Sequence, residues 1–198
     1  DPAKTPGRAA ILSTVLDAQH HALSGDGLAG LRRDNMTPAN VARAAVEGML
    51  CGLADGLDSL RNNGVVVRRV LLIGLGAGSL AKFVYHHLPE VRVTVVEIAP
   101  EVHAVAHQYF RLPDEGERLE VHIGDGAEFV RDDPRQWDLI AVDGFDRHAR
   151  AGALATQPFY AACRARLAAD GILSVNLFGQ LRGFKTQLQR LRKAFDGQ

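Results

Sequence analysis

The sequence predicts an α/β fold, a doubly wound parallel sheet with helices on both of its faces. An apolar run over residues 70–73 ends in a turn with three alternate glycines, and a helical pattern follows. From residue 66 onward, strand-like and helix-like segments alternate with short connections. Glycine or a carboxylate follows each of four successive strands, whose carboxyl ends meet at one edge of a parallel sheet. Together these observations predict a Rossmann-like domain over residues 66–198.

The glycine turn begins the predicted ligand site. Gly74, Gly76 and Gly78 lack the Cβ atoms that would keep the backbone away from a ligand. The helix that follows directs its free N–H groups into the same space. The spacing is G-x-G-x-G, whereas a dinucleotide fingerprint, G-x-G-x-x-G, would need glycine at Ser79. This spacing is typical of folds that bind S-adenosylmethionine, although glycine-rich turns also occur for packing reasons.

Two strand–helix units open the predicted domain. Apolar-rich runs predict the strands, and apolar residues at helical spacing predict the helices. The strands cover residues 66–73 and 91–98, and the helices cover residues 79–88 and 100–110. Proline at position 100 suits the first turn of a helix. The residues of the second helix that are expected to face the core are Val102, Val105, Ala106 and Tyr109.

Three further strands complete the predicted sheet, over residues 119–123, 138–142 and 172–178. Short helices are predicted over residues 127–131 and 156–167, the second with Thr156 as its cap. Residues 143–155 are expected to form a loop. A basic amphipathic helix over residues 182–195 closes the chain, and its cationic residues are expected to face solvent; they are Arg182, Lys185, Arg190, Arg192 and Lys193.

Residues 1–65 are assigned to an N-terminal segment. Residues 11–16 suit a short strand. Thr37-Pro38 is typical of a helix start, and apolar residues continue at four-residue steps, which predicts a helix at about residues 38–60 packed on the core. The chain begins without methionine, so a trimmed chain or a fragment is expected.

Composition narrows the classes of partner. The formal net charge is zero, so no overall field favours nucleic acid or an anionic membrane. No apolar run approaches the ~20 residues that span a bilayer, and no signal peptide is visible. Cys51 and Cys163 are far apart and are expected to be reduced thiols, which favours a cytoplasmic setting. His103 and His107 lack a third ligand, so no metal is expected.

The predicted strand ends carry four acidic residues that suit a nucleoside and an amine. Glu97 lies 19 residues after Gly78, about where doubly wound folds place the acid that accepts hydrogen bonds from ribose hydroxyls. Asp125, between two glycines, is placed to accept from an exocyclic amine. Asp143 and Asp146 follow the fourth strand. Acids are also common turn residues, so a capping role stays open for each.

Six blocks in this order resemble the spermidine synthase (polyamine aminopropyltransferase) family, closest to its bacterial spermidine synthase-like branch. They cover residues 71–78, 95–98, 124–126, 143–146, 156–160 and 171–173, and the resemblance extends over about residues 66–180. It implies a methyltransferase-type Rossmann-like fold. The implied reaction moves an aminopropyl group from decarboxylated S-adenosylmethionine to a small-molecule amine such as putrescine. A homodimer is a further expectation.

The resemblance also implies roles for individual residues. Asp143 would take the proton from the attacking amine, and Asp146 would help bind the cationic acceptor. The donor nucleoside would be held by Gly74, Gly76, Gly78, Glu97, Asp125 and Gly126. An amine attacks only when it is neutral, yet putrescine arrives protonated, so two acids three residues apart can divide attraction and proton transfer.

Departures from the family pattern keep alternatives open. Ala77 stands where the family carries an acid, and Arg147 and Arg150 follow the acidic loop. The family's N-terminal β-rich region and closing antiparallel hairpin are not recognisable. A methyltransferase that uses S-adenosylmethionine for a small molecule is one alternative, although many of those carry an acid at the position of Ile73. A non-catalytic nucleoside-binding or assembly module is the other.

Overall fold

The computed structural model describes residues 10–12, 66–145, 151–177 and 181–195. The chain divides into two compact units, residues 1–14 with 67–198, and residues 15–66. All the elements described below belong to the first unit. The helix predicted at about residues 38–60 lies outside the described residues, and the domain assignment stays a prediction.

The described residues form one sheet of six parallel strands in the order β1-β6-β5-β2-β3-β4. The strands are β1 (Ala10–Leu12), β2 (Arg69–Ile73), β3 (Arg92–Glu97), β4 (Leu119–Ile123), β5 (Trp137–Val142) and β6 (Leu167–Val175). The helices are α1 (Ser79–His87), α2 (Pro100–Phe110), α3 (Gly126–Asp132), α4 (Gln157–Arg166) and α5 (Leu181–Phe195), with a short 3₁₀ helix at Gly152–Ala155. The predicted α/β fold class is confirmed.

The topology determines where a ligand site can form. β2 pairs with β3 on one side and with β5 on the other. The chain runs from β2 outward to β4, returns to β5 beside β2 and continues outward to β6. The two halves of the sheet therefore diverge between β2 and β5, and a crevice opens at the carboxyl ends of the strands there.

Strands β2, β3 and β5 at the centre of the sheet are buried on both faces, which explains why they are mainly apolar. Side chains alternate along β2, so Leu71 and Ile73 face one side while Val70 and Leu72 face the other; all four are at most 2% exposed. Leu71 and Ile73 belong to a cluster that includes Phe159 of α4 and residues of α3 and α5. Helices α1 and α2 contact β3.

The predicted inward face of α2 was partly wrong. Ala106 is fully buried, but Val105 is 44% exposed and Tyr109 is 66% exposed. Helix α2 connects β3 to β4, which is the last strand of the described sheet on that side. In α2, Ala106 is the buried residue and Val102 is half-buried, so two of the four residues predicted to face the core do so at least in part.

Strand β6 departs from its predicted bounds of 172–178. It begins at Leu167, directly after α4, and ends at Val175. Its pairing with β5 shifts between Trp137 and Leu139, and regular pairing resumes at Ile172. A Cβ at Gly171 would lie 2.7 Å from the carbonyl oxygen of Trp137. The glycine therefore permits a close backbone approach at this irregularity, which period-2 patterning does not predict.

Candidate functional site

A cavity of about 390 Å³ lies at the carboxyl edge of the sheet. Its lining comes from the segments that follow β2, β3, β4 and β5, and from the 3₁₀ helix with the residue before it. Among the residues that line the cavity are Gly74, Gly76, Glu97, Asp125, Gly126 and Asp143. Six of the eight residues predicted to form the site are therefore brought together.

The glycine turn forms one wall of this cavity. Gly74 and Gly76 line it, with positive φ angles of 99° and 53°. A Cβ at Gly74 would collide with the backbone carbonyl of Asp143, so only glycine lets the two strand ends approach. Gly78 has φ of 68° but is not among the lining residues, and its Cβ would meet Leu112 Cδ1 at 2.8 Å. The structure thus gives Gly78 a packing role where α1 begins.

Glu97 ties the glycine turn to the end of β3. The residue is only 7% exposed. Oε2 accepts a hydrogen bond of 2.8 Å from the backbone N–H of Leu75, and Oε1 accepts one of 3.0 Å from Ala99. Each carboxylate oxygen has a further lone pair. Glu97 therefore shapes the turn and lines the cavity at the same time, while ribose contact stays a prediction.

Asp125 caps helix α3. Its Oδ1 accepts hydrogen bonds from Ala127 N at 2.7 Å and Glu128 N at 3.2 Å. Among the described residues, nothing donates to Oδ2. Asp125 thus has the capping role that its turn position left open, and it also keeps one acceptor for another partner. The adjacent Gly126 lines the cavity, where a Cβ would collide with Ile73.

Asp143 follows β5 directly and opens onto the cavity. Its backbone N–H donates to the carbonyl of Ile73 at 2.8 Å, and Asn176 Nδ2 donates to its Oδ1 at 2.8 Å. Desolvation by the surrounding protein raises the pKa of the Asp143 carboxyl above its usual value, while the Asn176 hydrogen bond partly offsets the rise. A carboxylate with a raised pKa is a stronger base than an ordinary aspartate.

Sequence reasoning missed two residues that support the cavity. Asn176 was hidden inside the strand predicted to reach residue 178, whereas β6 ends at Val175 and Asn176 is the polar residue that follows it. Arg190 was expected to face solvent, but its Nη1 donates to the carbonyl of Ala155 at 2.7 Å, at the end of the 3₁₀ helix. The 3₁₀ helix itself falls in the predicted loop, and its first residue, Gly152, has φ of 53°.

Several predicted features lie elsewhere. Asp146, together with Arg147 and Arg150, lies outside the described residues. His103 lies 3.4 Å from Glu115, and His107 lies 3.7 Å from an aspartate of the same loop. In the part of the chain that the structure describes, no three or more His, Cys, Asp or Glu side chains cluster as a metal site would require. No described helix combines the length and apolarity needed to cross a membrane.

Comparison with known proteins identifies a matching family and a curated relative. The profile of the spermine/spermidine synthase domain family matches residues 55–195. A polyamine aminopropyltransferase of Neisseria meningitidis is 38% identical over 130 residues, which are 66% of this chain and 49% of that protein. This chain therefore spans about half the length of that curated relative.

Two solved structures also match this chain. Human methyltransferase-like protein 13, in complex with SAH, matches with a TM-score of 0.59 and 28% identity, over 65% of this chain and 63% of that one. A spermidine synthase in complex with the transition-state analogue AdoDATO matches with a TM-score of 0.55 and 29% identity, over 66% and 45% of the two chains.

Proposed function

Because the chain belongs to the spermine/spermidine synthase domain family, we propose that it transfers an aminopropyl group from decarboxylated S-adenosylmethionine to an amine such as putrescine. The observation that carries this proposal is the meeting of three carboxylates, those of Glu97, Asp125 and Asp143, in one cavity beside the glycine turn. None of the described residues that line the cavity carries a cationic side chain. Such a lining suits a sulfonium donor and a cationic acceptor.

The donor half of the cavity fits a nucleoside. The backbone of Gly74 and Gly76 approaches the ligand space without side chains, and the second lone pairs of Glu97 are available to ribose hydroxyls. Asp125 Oδ2 would accept from the adenine amine. Decarboxylated S-adenosylmethionine supplies an already activated leaving group, so binding and orientation contribute much of the rate.

Asp143 would serve the acceptor amine. The carboxylate attracts the protonated amine and takes one proton from it, which leaves a nitrogen lone pair for attack. That lone pair forms the new C–N bond at the aminopropyl carbon attached to sulfur. The C–S bond breaks, its electron pair stays on sulfur, and neutral methylthioadenosine leaves. The positive charge of the sulfonium passes to the product nitrogen, which is formed as a secondary ammonium.

Asp146 and Ala77 bear on the rest of the acceptor site. We propose that Asp146 binds a second charge of the acceptor, three residues beyond the base. With alanine at position 77, the glycine turn contributes no acid, so acceptor binding depends on the loop after β5.

As pH falls, activity should be lost at a higher pH than it would be if the base were an aspartate with an ordinary pKa. Asp143 must be ionised to accept a proton, and desolvation raises its pKa. As pH falls, the base is therefore protonated sooner, and turnover is lost above the usual Asp range near ~3.9. The measurement is kcat/KM for putrescine against pH, because kcat/KM reports the titration of the free enzyme. An acid limb at or below the ordinary Asp range would contradict the assignment.

Asp125→Asn is expected to weaken methylthioadenosine binding by roughly 10–100-fold, about 1.5–3 kcal/mol, with little change in thermal stability. Asparagine caps a helix as well as aspartate does, so its Oδ1 keeps the bonds to Ala127 and Glu128. Its amide would then face the adenine amine, donor against donor. Calorimetry measures the affinity, and Glu128→Gln, at the same helix end but outside the cavity, is the matched control. Equal affinities for Asp125→Asn and wild type would overturn the adenine contact.

Glu97→Gln should also weaken binding, but with a loss of stability. Each oxygen of Glu97 accepts one backbone N–H, so a glutamine must oppose one of those donors with its own amide. The melting temperature should therefore fall for Glu97→Gln and stay near wild type for Asp125→Asn. That contrast separates the turn-forming role of Glu97 from ligand binding.

Methyl transfer to a small molecule is the second candidate, favoured by the match to a human methyltransferase-like protein solved with SAH. The deciding experiment incubates the chain with putrescine and either decarboxylated S-adenosylmethionine or S-adenosylmethionine, and identifies the nucleoside product by mass. Methylthioadenosine from the first donor supports aminopropyl transfer. S-adenosylhomocysteine from the second supports methyl transfer. Tight methylthioadenosine binding without either product supports the non-catalytic module.

A further inference from the structure

We propose that Asn176 is a positioning residue that holds one oxygen of Asp143 and thereby presents the other oxygen to the acceptor amine. The inference rests on the proposed aminopropyl transfer and adds a residue from the fifth strand end of the site. It is carried by the contact between Asn176 Nδ2 and Asp143 Oδ1, 2.8 Å in length.

The two residues are held in place by the sheet. Asp143 N donates to the carbonyl of Ile73 in β2, and Asn176 N donates to the carbonyl of Val142 in β5, each at 2.8 Å. Val142 in turn is paired with Val175. Asn176 and Asp143 are therefore the first residues beyond neighbouring strands, with their backbones fixed by ladder hydrogen bonds. Side chains on such rigid strand ends hold a catalytic geometry more precisely than side chains on free loops.

The chemistry of the amide suits this task. An amide N–H fixes the rotation of the carboxylate by binding one oxygen, and it leaves the second oxygen with its lone pairs unused. A lysine or arginine in this place would neutralise the charge that attracts a protonated amine. Asparagine is neutral, so it orients Asp143 without cancelling its attraction for the substrate. It also limits the rise that desolvation causes in the pKa of Asp143.

Two other roles predict different measurements. If Asn176 contacted the amine directly, its loss would raise KM and leave the titration of Asp143 alone. If the role of Asn176 were only structural, at the end of β6, its loss would lower stability without changing kcat or KM selectively. Positioning predicts a change in the titration of Asp143 and in kcat, with nucleoside binding preserved.

The experiment compares wild type with Asn176→Leu, which is close in size and has no donor, and with Asn176→Gln, which keeps the amide. Asn176→Ala removes the same donor and is measured in parallel, in case the leucine variant does not fold. The carboxyl of Asp143 is titrated by ¹³C NMR in the absence of substrate, with Asp143→Asn used to assign its signal. The pH dependence of kcat, KM for putrescine and methylthioadenosine affinity are measured on the same variants.

We expect the Asp143 titration to move to higher pH in the leucine and alanine variants, because the charged form loses its hydrogen bond. We expect kcat to fall by roughly 10–100-fold, with KM and methylthioadenosine affinity within about threefold of wild type. The glutamine variant should recover part of kcat. An unchanged Asp143 titration overturns the contact, and a rise in KM alone overturns positioning in favour of substrate contact.

Failure of the proposed function gives a different result. If wild type forms no methylthioadenosine from decarboxylated S-adenosylmethionine in the presence of putrescine, aminopropyl transfer to that amine is refuted, and the role of Asn176 in that reaction is refuted with it. The NMR titration still decides whether Asn176 holds Asp143 in the free protein, because it requires no turnover.

Discussion

Asp143→Asn is expected to lower turnover with putrescine by roughly 10²–10⁴-fold, the usual size of a lost general base. An amide cannot take the proton from the attacking amine, and it no longer attracts the cationic substrate. Its carbonyl oxygen can still accept the hydrogen bond from Asn176, so the local geometry should persist. Single-turnover and steady-state rates measure the loss, and calorimetry with methylthioadenosine should give a nearly unchanged affinity.

The same substitution makes a prediction about stability. The pKa of Asp143 is raised in the folded protein, so its ionised form costs stability at neutral pH, and that cost grows as pH rises through the raised pKa. Asp143→Asn should therefore melt at the same temperature as wild type or higher at neutral pH. Asp170→Asn, an exposed acid of β6 that does not line the cavity, is the control for both measurements. Full turnover by Asp143→Asn would mean that another group is the base.

Gly74→Ala is expected to destabilise the protein by roughly 2–5 kcal/mol and to abolish nucleoside binding. Two causes add: φ of 99° is strained for a residue with a Cβ, and that Cβ would collide with the carbonyl of Asp143. Relief of the collision must separate the ends of β2 and β5, which carry the turn and the proposed base. Urea unfolding measures the stability, and calorimetry measures the binding.

Gly76→Ala is the matched control for Gly74→Ala. Gly76 also has a positive φ, 53°, but a Cβ there meets no atom within 4 Å. Its substitution should cost only the conformational part, roughly 1–2 kcal/mol. The difference between the two variants combines the collision with Asp143 and the greater strain at φ of 99°. Equal losses would show that close packing of the two strand ends does not matter to stability.

Local pattern was sufficient for most of the framework. Apolar-rich runs that alternate with helical spacing predict the five parallel strands from residue 69 onward. The central strand β2 is apolar after Arg69 because a strand buried on both faces has no polar side. The glycine spacing predicts the turn after β2, and Thr156 caps α4 as expected by accepting from Phe159 N at 3.4 Å. These features depend on neighbours within a few residues, which is the range over which sequence is informative.

The edge of a parallel sheet also made half of the site predictable. Once β2, β3, β4 and β5 are known to be parallel, their carboxyl ends must share one edge, so Gly74, Glu97, Asp125 and Asp143 must be neighbours. That conclusion follows from the parallel topology alone. It identifies the residues that meet, but it does not say which atoms are already engaged with the protein.

Tertiary structure decided how those atoms are used. Both oxygens of Glu97 accept backbone N–H groups, one oxygen of Asp125 caps α3, and one oxygen of Asp143 accepts from Asn176. These pairings join residues of different elements or depend on the exact strand end. Asn176 belongs to the site because β6 ends at Val175, after a shift in its pairing with β5. The register between strands that are distant in sequence is set by the packing of the whole sheet. Local propensity therefore does not predict it.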